Sequence, residues 1–258
     1  MDLKIGKQTF LVCGASAGFG HAVAERLLEE GANIIAVARR EEKLTELESA
    51  FPEQVKTIVG DLTDKEVINQ LEALFSSHKL QGAFINAGGP PAMSAMETSM
   101  EQWDEAFQSV MRWKIDLSLR LARYFSSENY GRILFLESQS VKQPIPSLVL
   151  SNSFRAGVVG FAKTLSLEVA KKGVTVNVLA PGSHETPAIK RVIDKRIEES
   201  GKDFEEVKKN MESAIPVGRM GNAEELSSLA VWLLSPLSGY VTGQTISHDG
   251  GNIKGIFG

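Results

Sequence analysis

Residues 9–31 read TFLVCGASAGFGHAVAERLLEEG and combine a strand, a glycine-rich turn and a helix. The apolar run of residues 9–13 predicts a buried strand, and the pattern that follows the turn predicts a helix that Gly31 ends. Gly14, Gly18 and Gly20 have the spacing G-x-x-x-G-x-G. Glycines at such a turn let the backbone approach a pyrophosphate, which then binds free N–H groups of the helix. A glycine-rich turn without a ligand is the alternative, and the position between strand and helix argues against it.

The alternation of strand and helix continues along the chain. Further strands are predicted at 33–38, 55–60, 82–86, 131–138, 174–180 and 244–251, and further helices at 41–50, 67–75, 101–128, 151–172 and 225–235. Apolar strands separated by helices indicate a parallel sheet covered on both faces, with right-handed crossovers. The expected fold class is α/β, a Rossmann-type doubly wound parallel sheet in a single domain, 1–258. Residues 187–216 are charged, fall outside this rhythm and are predicted to form a substrate lid.

Composition excludes several classes of function. The 258 residues are 43% hydrophobic and 23% charged with a net charge of −4, which excludes global disorder and gives no basic surface for nucleic acid or anionic membrane. Cys13 is the single cysteine, so no internal disulfide is possible, and we expect no metal site. Since no apolar run approaches the roughly 18 residues of a membrane span, and the first ten residues carry charges, we expect a cytoplasmic protein without membrane contact.

Two arginines follow the second predicted strand. An acidic residue at that position would bind the ribose hydroxyls of NAD, whereas Arg39 and Arg40 offer planar forks for a 2′-phosphate. The sequence therefore predicts NADP(H) in preference to NAD(H). The alternative is that both arginines belong to a solvated helix start.

These features, together with Asn86-Ala87-Gly88 after the fourth predicted strand, resemble the short-chain dehydrogenase/reductase family over nearly the whole chain. Gly60-Asp61-Leu62 resembles the family's adenine-contacting turn, and Pro181-Gly182 with Thr186 resembles the stretch that holds the nicotinamide amide. Members with these motifs are often described as 3-oxoacyl-(acyl-carrier-protein) reductases. The residues expected at the cofactor are Gly14, Ser16, Gly18, Phe19, Gly20, Arg39, Arg40, Asp61, Leu62, Asn86, Ala87, Gly88, Arg155, Pro181, Gly182, His184 and Thr186.

The chain departs from the family at the catalytic positions. The resemblance implies a serine, a tyrosine thirteen positions later, a lysine four beyond that, and an asparagine on the preceding long helix. Ser138 fits the serine, but Ser151 and Arg155 occupy the tyrosine and lysine positions, and Val110 or Met111 aligns with the asparagine. Hydride transfer belongs to the cofactor, so the change affects the protonation of the substrate oxygen. We expect Ser138, Ser151 and Arg155 to form the catalytic set.

Three functions stay open at this point. The first is an NADP(H)-dependent reductase with a small-molecule carbonyl or alcohol as substrate, in which water, Ser151 or His184 donates the proton. The second is a dinucleotide-binding protein that has lost hydride chemistry, and the third is a non-redox enzyme such as a lyase. For His184 we expect backbone contact with the cofactor and an imidazole that points to solvent. The resemblance also implies a homodimer or homotetramer.

Overall fold

The strand that begins the glycine turn lies at the centre of the sheet in the computed structural model. The structure describes residues 1–256, with the backbone alone for residues 188, 191, 195 and 199, so the last two residues of the predicted domain lie outside the described residues. The strands are β1 Thr9–Cys13, β2 Asn33–Ala38, β3 Val55–Val59, β4 Leu80–Ile85, β5 Gly131–Leu136, β6 Val174–Pro181 and β7 Thr245–His248.

All neighbouring strands pair in parallel, in the order β3-β2-β1-β4-β5-β6-β7. The order reverses between β1 and β4, and this switch point opens a crevice at the carboxyl ends of the strands. The predicted fold class, a doubly wound parallel sheet of Rossmann type, is confirmed.

The helices cover both faces of the sheet. They are α1 Gly18–Glu29, α2 Glu41–Ala50, α3 Lys65–Leu74, α4 Met100–Ala106, α5 Trp113–Glu128, α6 Val149–Val169, α7 Pro187–Ser200, α8 Phe204–Ser213 and α9 Ala223–Leu234. In β1, Phe10 and Val12 pack in the core formed with α1, α2 and α9, whereas Leu11 and Cys13 pack in the core formed with α3, α5 and α6. This alternation fixes β1, and with it the turn that follows. Among residues 1–256 no helix is both long and apolar enough to cross a bilayer.

The predicted long helical segment over residues 101–128 is confirmed, and it contains a π-helical segment, Phe107–Arg112, between α4 and α5. Two side chains donate hydrogen bonds to backbone carbonyls at this segment. The Ser109 hydroxyl donates to the carbonyl of Glu105 at 2.8 Å, and the Trp113 indole donates to the carbonyl of Ser109 at 2.9 Å. The segment therefore places Val110 and Trp113 in the core and turns the start of α5 toward β5.

The predicted lid consists of α7 and α8 joined by a short turn. These helices bury a small apolar cluster of their own, which includes Ile193, Val207 and Met211. Residues at the start of the segment reach the crevice of the sheet, since Pro187, Ile189 and Val192 line its clefts. Its motion as a lid stays a prediction.

Candidate active site

The glycine turn is too crowded for larger side chains. Gly14 has φ of +69°, and a Cβ added there would lie 2.8 Å from Nδ2 of Asn86. A Cβ on Gly20 would lie 2.2 Å from the carbonyl oxygen of Gly14. Within residues 1–256 no side chain caps the first turn of α1, which begins after Ala17. The N–H groups of this turn are therefore available to an anion, as pyrophosphate binding requires.

A cleft of about 420 Å³ lies beside this turn at the carboxyl ends of β1, β2 and β4. Its walls bring together nine of the residues predicted to contact the cofactor. They are Gly14, Ser16, Arg39, Arg40, Asp61, Leu62, Asn86, Ala87 and Gly88. We call it the adenosine cleft, after the half of the dinucleotide that these residues are predicted to contact.

The two arginines of the adenosine cleft are held differently. Nε and Nη2 of Arg40 donate to the hydroxyl oxygen of Ser16 at 3.2 and 3.0 Å, which ties the guanidinium to the glycine turn. Arg39 is 79% exposed, and its Nη1 lies 3.5 Å from Oδ2 of Asp61. Burial works to raise the pKa of Asp61, but hydrogen bonds from Thr63 and the nearby Arg39 outweigh it and lower that pKa. Both arginines thus line the adenosine cleft.

A second cleft, of about 220 Å³, lies at the carboxyl ends of β5 and β6. We call it the reaction cleft. Eight predicted residues line it: Phe19, Ser138, Ser151, Arg155, Pro181, Gly182, His184 and Thr186. Gly18 and Gly20 lie outside the linings of both clefts, at the start of α1, where the chain passes from one cleft to the other.

Ser151 and Arg155 are one turn apart on α6 and are both buried. Nε of Arg155 donates to the Ser151 hydroxyl oxygen at 3.0 Å. Because this oxygen accepts from a cation and Ser151 lines the reaction cleft, its hydroxyl proton remains free to donate to a group in the cleft. Nη2 of Arg155 lies 3.5 Å from the carbonyl of Gly88, beside the Asn86–Gly89 loop. The side chain of Ser138 is held by a local hydrogen bond, in which its hydroxyl oxygen accepts from the backbone N–H of Ser140 at 3.1 Å.

Two charged residues of the site were not among the predicted residues. Oε2 of Glu137 lies 2.9 Å from Nη1 of Arg155, and Oε1 of Glu137 lies 2.5 Å from Nζ of Lys114. The side chains of Lys114 and Glu137 are 0% exposed, and that of Arg155 is 8% exposed. We call these three residues the charged triad. Burial lowers the pKa of Lys114 below its ordinary value, and pairing with Glu137 only partly opposes this.

The sequence carried a signal for both residues. Lys114 follows Val110 by four positions and precedes Leu117 by three, so a helix places it on the buried face, where a charge needs a partner. Glu137 ends an apolar strand directly before Ser138. Spacing alone does not reveal that they meet, because they are 23 residues apart and on different elements.

The expectation that the imidazole of His184 points to solvent is wrong. His184 is 3% exposed, because Phe19 packs against its ring at 5.0 Å and Gly221 leaves room for it. Nδ1 lies 3.0 Å from the carbonyl of Gly182, and Nε2 lies 2.8 Å from Nδ1 of His248, a second residue that the prediction missed. Burial, assisted by His248, lowers the pKa of His184. Both ring nitrogens of His184 face protein atoms, so Ser151 is better placed than His184 to donate a proton to a group in the reaction cleft.

Comparisons with known proteins agree with this architecture. Residues 14–252 match the family model described as enoyl-(acyl carrier protein) reductase, a short-chain dehydrogenase/reductase model. The chain is 32% identical over 246 residues to the 3-oxoacyl-(acyl-carrier-protein) reductase FabG of Haemophilus influenzae, covering 93% of this chain and 96% of that protein. The FabG of Escherichia coli is 28% identical over 245 residues, covering 93% and 95%.

Solved structures give the same result. L-sorbose reductase from Gluconobacter frateurii, complexed with NADPH and L-sorbose, superposes with a TM-score of 0.92 at 27% identity, covering 99% of this chain and 100% of that chain. YwfH, an NADPH-dependent reductase involved in bacilysin biosynthesis, superposes with a TM-score of 0.91 at 26% identity, covering 97% and 100%.

Proposed function

The chain belongs to the short-chain dehydrogenase/reductase family of oxidoreductases, and from that premise we propose that it uses NADP(H) to reduce a small-molecule carbonyl to an alcohol, with Ser151 and Arg155 in place of the family's tyrosine and lysine. The observation that carries the proposal is the 3.0 Å hydrogen bond from Arg155 to Ser151 in the reaction cleft. It reproduces, with different residues, a hydroxyl held by a cation.

The residues present fit the cofactor. The uncapped start of α1 suits the pyrophosphate, Arg39 and Arg40 suit a 2′-phosphate, and the Pro181–Thr186 stretch suits the nicotinamide amide. A bound NADPH supplies the hydride. Support for NADP(H) also comes from the solved structures, since L-sorbose reductase was crystallised with NADPH and YwfH is an NADPH-dependent reductase.

Ser151 donates the proton to the substrate oxygen. A serine hydroxyl is a weaker acid than a phenol, whose pKa is about 10, so it needs a fixed positive charge to stabilise the oxygen that loses the proton. Arg155 supplies this charge through Nε and leaves Nη2 toward the loop of Gly88, where it suits the ribose hydroxyls. Ser138 orients the carbonyl oxygen from the end of β5. Such a proton donor accelerates the reaction by roughly 10²- to 10⁴-fold.

The substrate class that we propose is a small carbonyl compound, possible members being 3-oxoacyl thioesters, on which the named relatives act. A dimer or tetramer, and a cytoplasmic location, are proposed from the family resemblance. Cys13 is buried at the end of β1, and burial raises the pKa of its thiol to about 12, so it is unavailable for cross-linking.

Two measurements test the proposed function. Calorimetric titration compares NADPH with NADH, and NADPH absorbance is then followed with a panel of ketones, sugars and 3-oxoacyl thioesters. We expect tighter binding of NADPH and turnover of at least one carbonyl class. Equal or tighter binding of NADH contradicts the cofactor assignment, and NADPH binding without turnover of any carbonyl at any pH contradicts the reductase assignment.

A further inference from the structure

The charged triad contains two cations and one anion in the interior of the protein. Glu137 sits between Lys114 and Arg155, with one carboxylate oxygen for each, at 2.5 and 2.9 Å. With Lys114 protonated, which its 2.5 Å ion pair with Glu137 favours against the burial that lowers its pKa, the triad has a net charge of +1 in a region with almost no exposure to water. Burying an excess charge is costly unless something negative binds near it.

The excess charge comes from Lys114. If only Glu137 and Arg155 were present, the carboxylate would cancel the charge of the guanidinium that supports Ser151, and the base of the reaction cleft would be neutral. Lys114 is completely buried and lies outside the lining of both clefts, so it contacts a ligand only through Glu137. Its effect on the cleft is therefore electrostatic and positional.

The proposed reaction creates the negative charge that this arrangement suits. Bound NADPH would supply a hydride to the carbonyl carbon, so a C–H bond would form there and the π electron pair of the C=O bond would move to oxygen. The oxygen would then take a proton from Ser151, which would recover one from solvent. A fixed charge of +1 in a region of low dielectric stabilises the anionic oxygen more than the neutral carbonyl.

We propose that Lys114 is a positioning residue that fixes a net charge of +1 behind Ser138 and Ser151, and that the reaction cleft therefore binds a negatively charged oxygen in preference to a neutral one. The inference rests on the proposed function for the identity of that oxygen. The reaction cleft is therefore expected to bind small carboxylates more tightly than amides of the same shape.

Three variants separate charge from packing. Lys114→Met keeps the volume but leaves Glu137 and Arg155 as a neutral pair. Lys114→Met with Glu137→Gln restores the net charge to +1, and the glutamine carbonyl still accepts a hydrogen bond from Arg155. Lys114→Arg keeps the native charge at the same position. If the net charge determines the preference for an anionic ligand, the double variant recovers the preference that Lys114→Met alone loses.

The experiment measures the binding of butyrate and butyramide by calorimetry, to the whole protein with and without saturating NADP⁺. We expect the wild type and Lys114→Arg to bind butyrate at least tenfold more tightly than butyramide. Lys114→Met is expected to lose most of this preference with unchanged butyramide binding, and the double variant to regain it. The turnover number of each variant is expected to follow its butyrate affinity, with KM for a neutral carbonyl nearly constant.

Unchanged butyrate preference in Lys114→Met, or failure of the double variant to regain it, overturns the proposal. Thermal unfolding of each variant accompanies the titrations. If Lys114→Met does not fold, the wild type and the double variant, both with a net charge of +1, still test the proposal. An equal preference for butyrate of at least tenfold in both supports the proposal, and the absence of that preference in either protein overturns it. Failure of NADP⁺ to bind contradicts the proposed function instead, and the comparison without NADP⁺ still reports on the charge.

Discussion

At the scale of single residues, the chemistry depends on which group directs a proton into the reaction cleft. Arg155 holds the Ser151 oxygen at 3.0 Å, whereas His184 directs its nitrogens toward Gly182 and His248. The hydroxyl is thus the group that we propose to face the substrate, and the imidazole forms part of the wall of the cleft.

Replacement of Ser151 by alanine removes the proposed proton donor. We expect the turnover number to fall by about 10²- to 10³-fold with the affinity for NADPH unchanged, since the cofactor contacts lie elsewhere. Ser153→Ala is the matched control, because Ser153 is two residues along α6 and exposed. Steady-state kinetics with calorimetric NADPH titration measures both, and equal activity of the two variants contradicts the role of Ser151.

Replacement of Arg40 by alanine tests the 2′-phosphate site. A charge-assisted hydrogen bond contributes enough for a loss of about tenfold to hundredfold in NADPH affinity. NADH has no 2′-phosphate, so its affinity is expected to stay constant. Arg123→Ala, on the exposed side of α5, serves as the control. Parallel losses for both cofactors in Arg40→Ala would show that the guanidinium only supports the glycine turn through Ser16.

At the scale of elements, the sequence predicted the strands well because near-continuous apolar runs bounded by glycine and polar residues have few alternatives. The glycine turn and the two arginines were also predictable, since their chemistry depends on local spacing. The π-helical segment was not, because it depends on where the Ser109 hydroxyl and the Trp113 indole find their carbonyl partners. The ion pair of Lys114 with Glu137 was not predicted for a similar reason. It joins α5 to the end of β5, and no local sequence pattern indicates that these two residues are in contact.

The α7–α8 segment is expected to close over a bound cofactor. Pro187 lines the adenosine cleft and Ile189 and Val192 line the reaction cleft, so a dinucleotide that spans both gives the segment new contacts. Amide hydrogen exchange within residues 187–213 should slow by about tenfold or more when NADPH is added. Helix α9, which contributes no residue to the lining of either cleft, provides the internal control. Identical exchange in α7 and α8 with and without NADPH contradicts a lid.

At the scale of the whole molecule, the stability of the fold is expected to depend on pH through His184. Its folded pKa lies below the ordinary value of 6.5, so the unfolded chain binds more protons between the two values. The free energy of unfolding therefore falls as the pH is lowered below 6.5. Denaturant unfolding from pH 8 to 5 measures this dependence in the wild type, in His184→Gln and in the control His78→Gln. A wild-type slope that persists in His184→Gln would assign the dependence to other groups.

The account as a whole depends on hydride transfer in a cleft that lacks the family's phenol. The most direct measurement uses NADPH carrying deuterium at the transferable position of C4, with mass spectrometry of the product after incubation with the carbonyl panel. The account predicts an alcohol that carries one deuterium on the former carbonyl carbon, formed by the wild type and much more slowly by Ser151→Ala. A protein that binds the labelled cofactor and yields no deuterated alcohol from any carbonyl would contradict it.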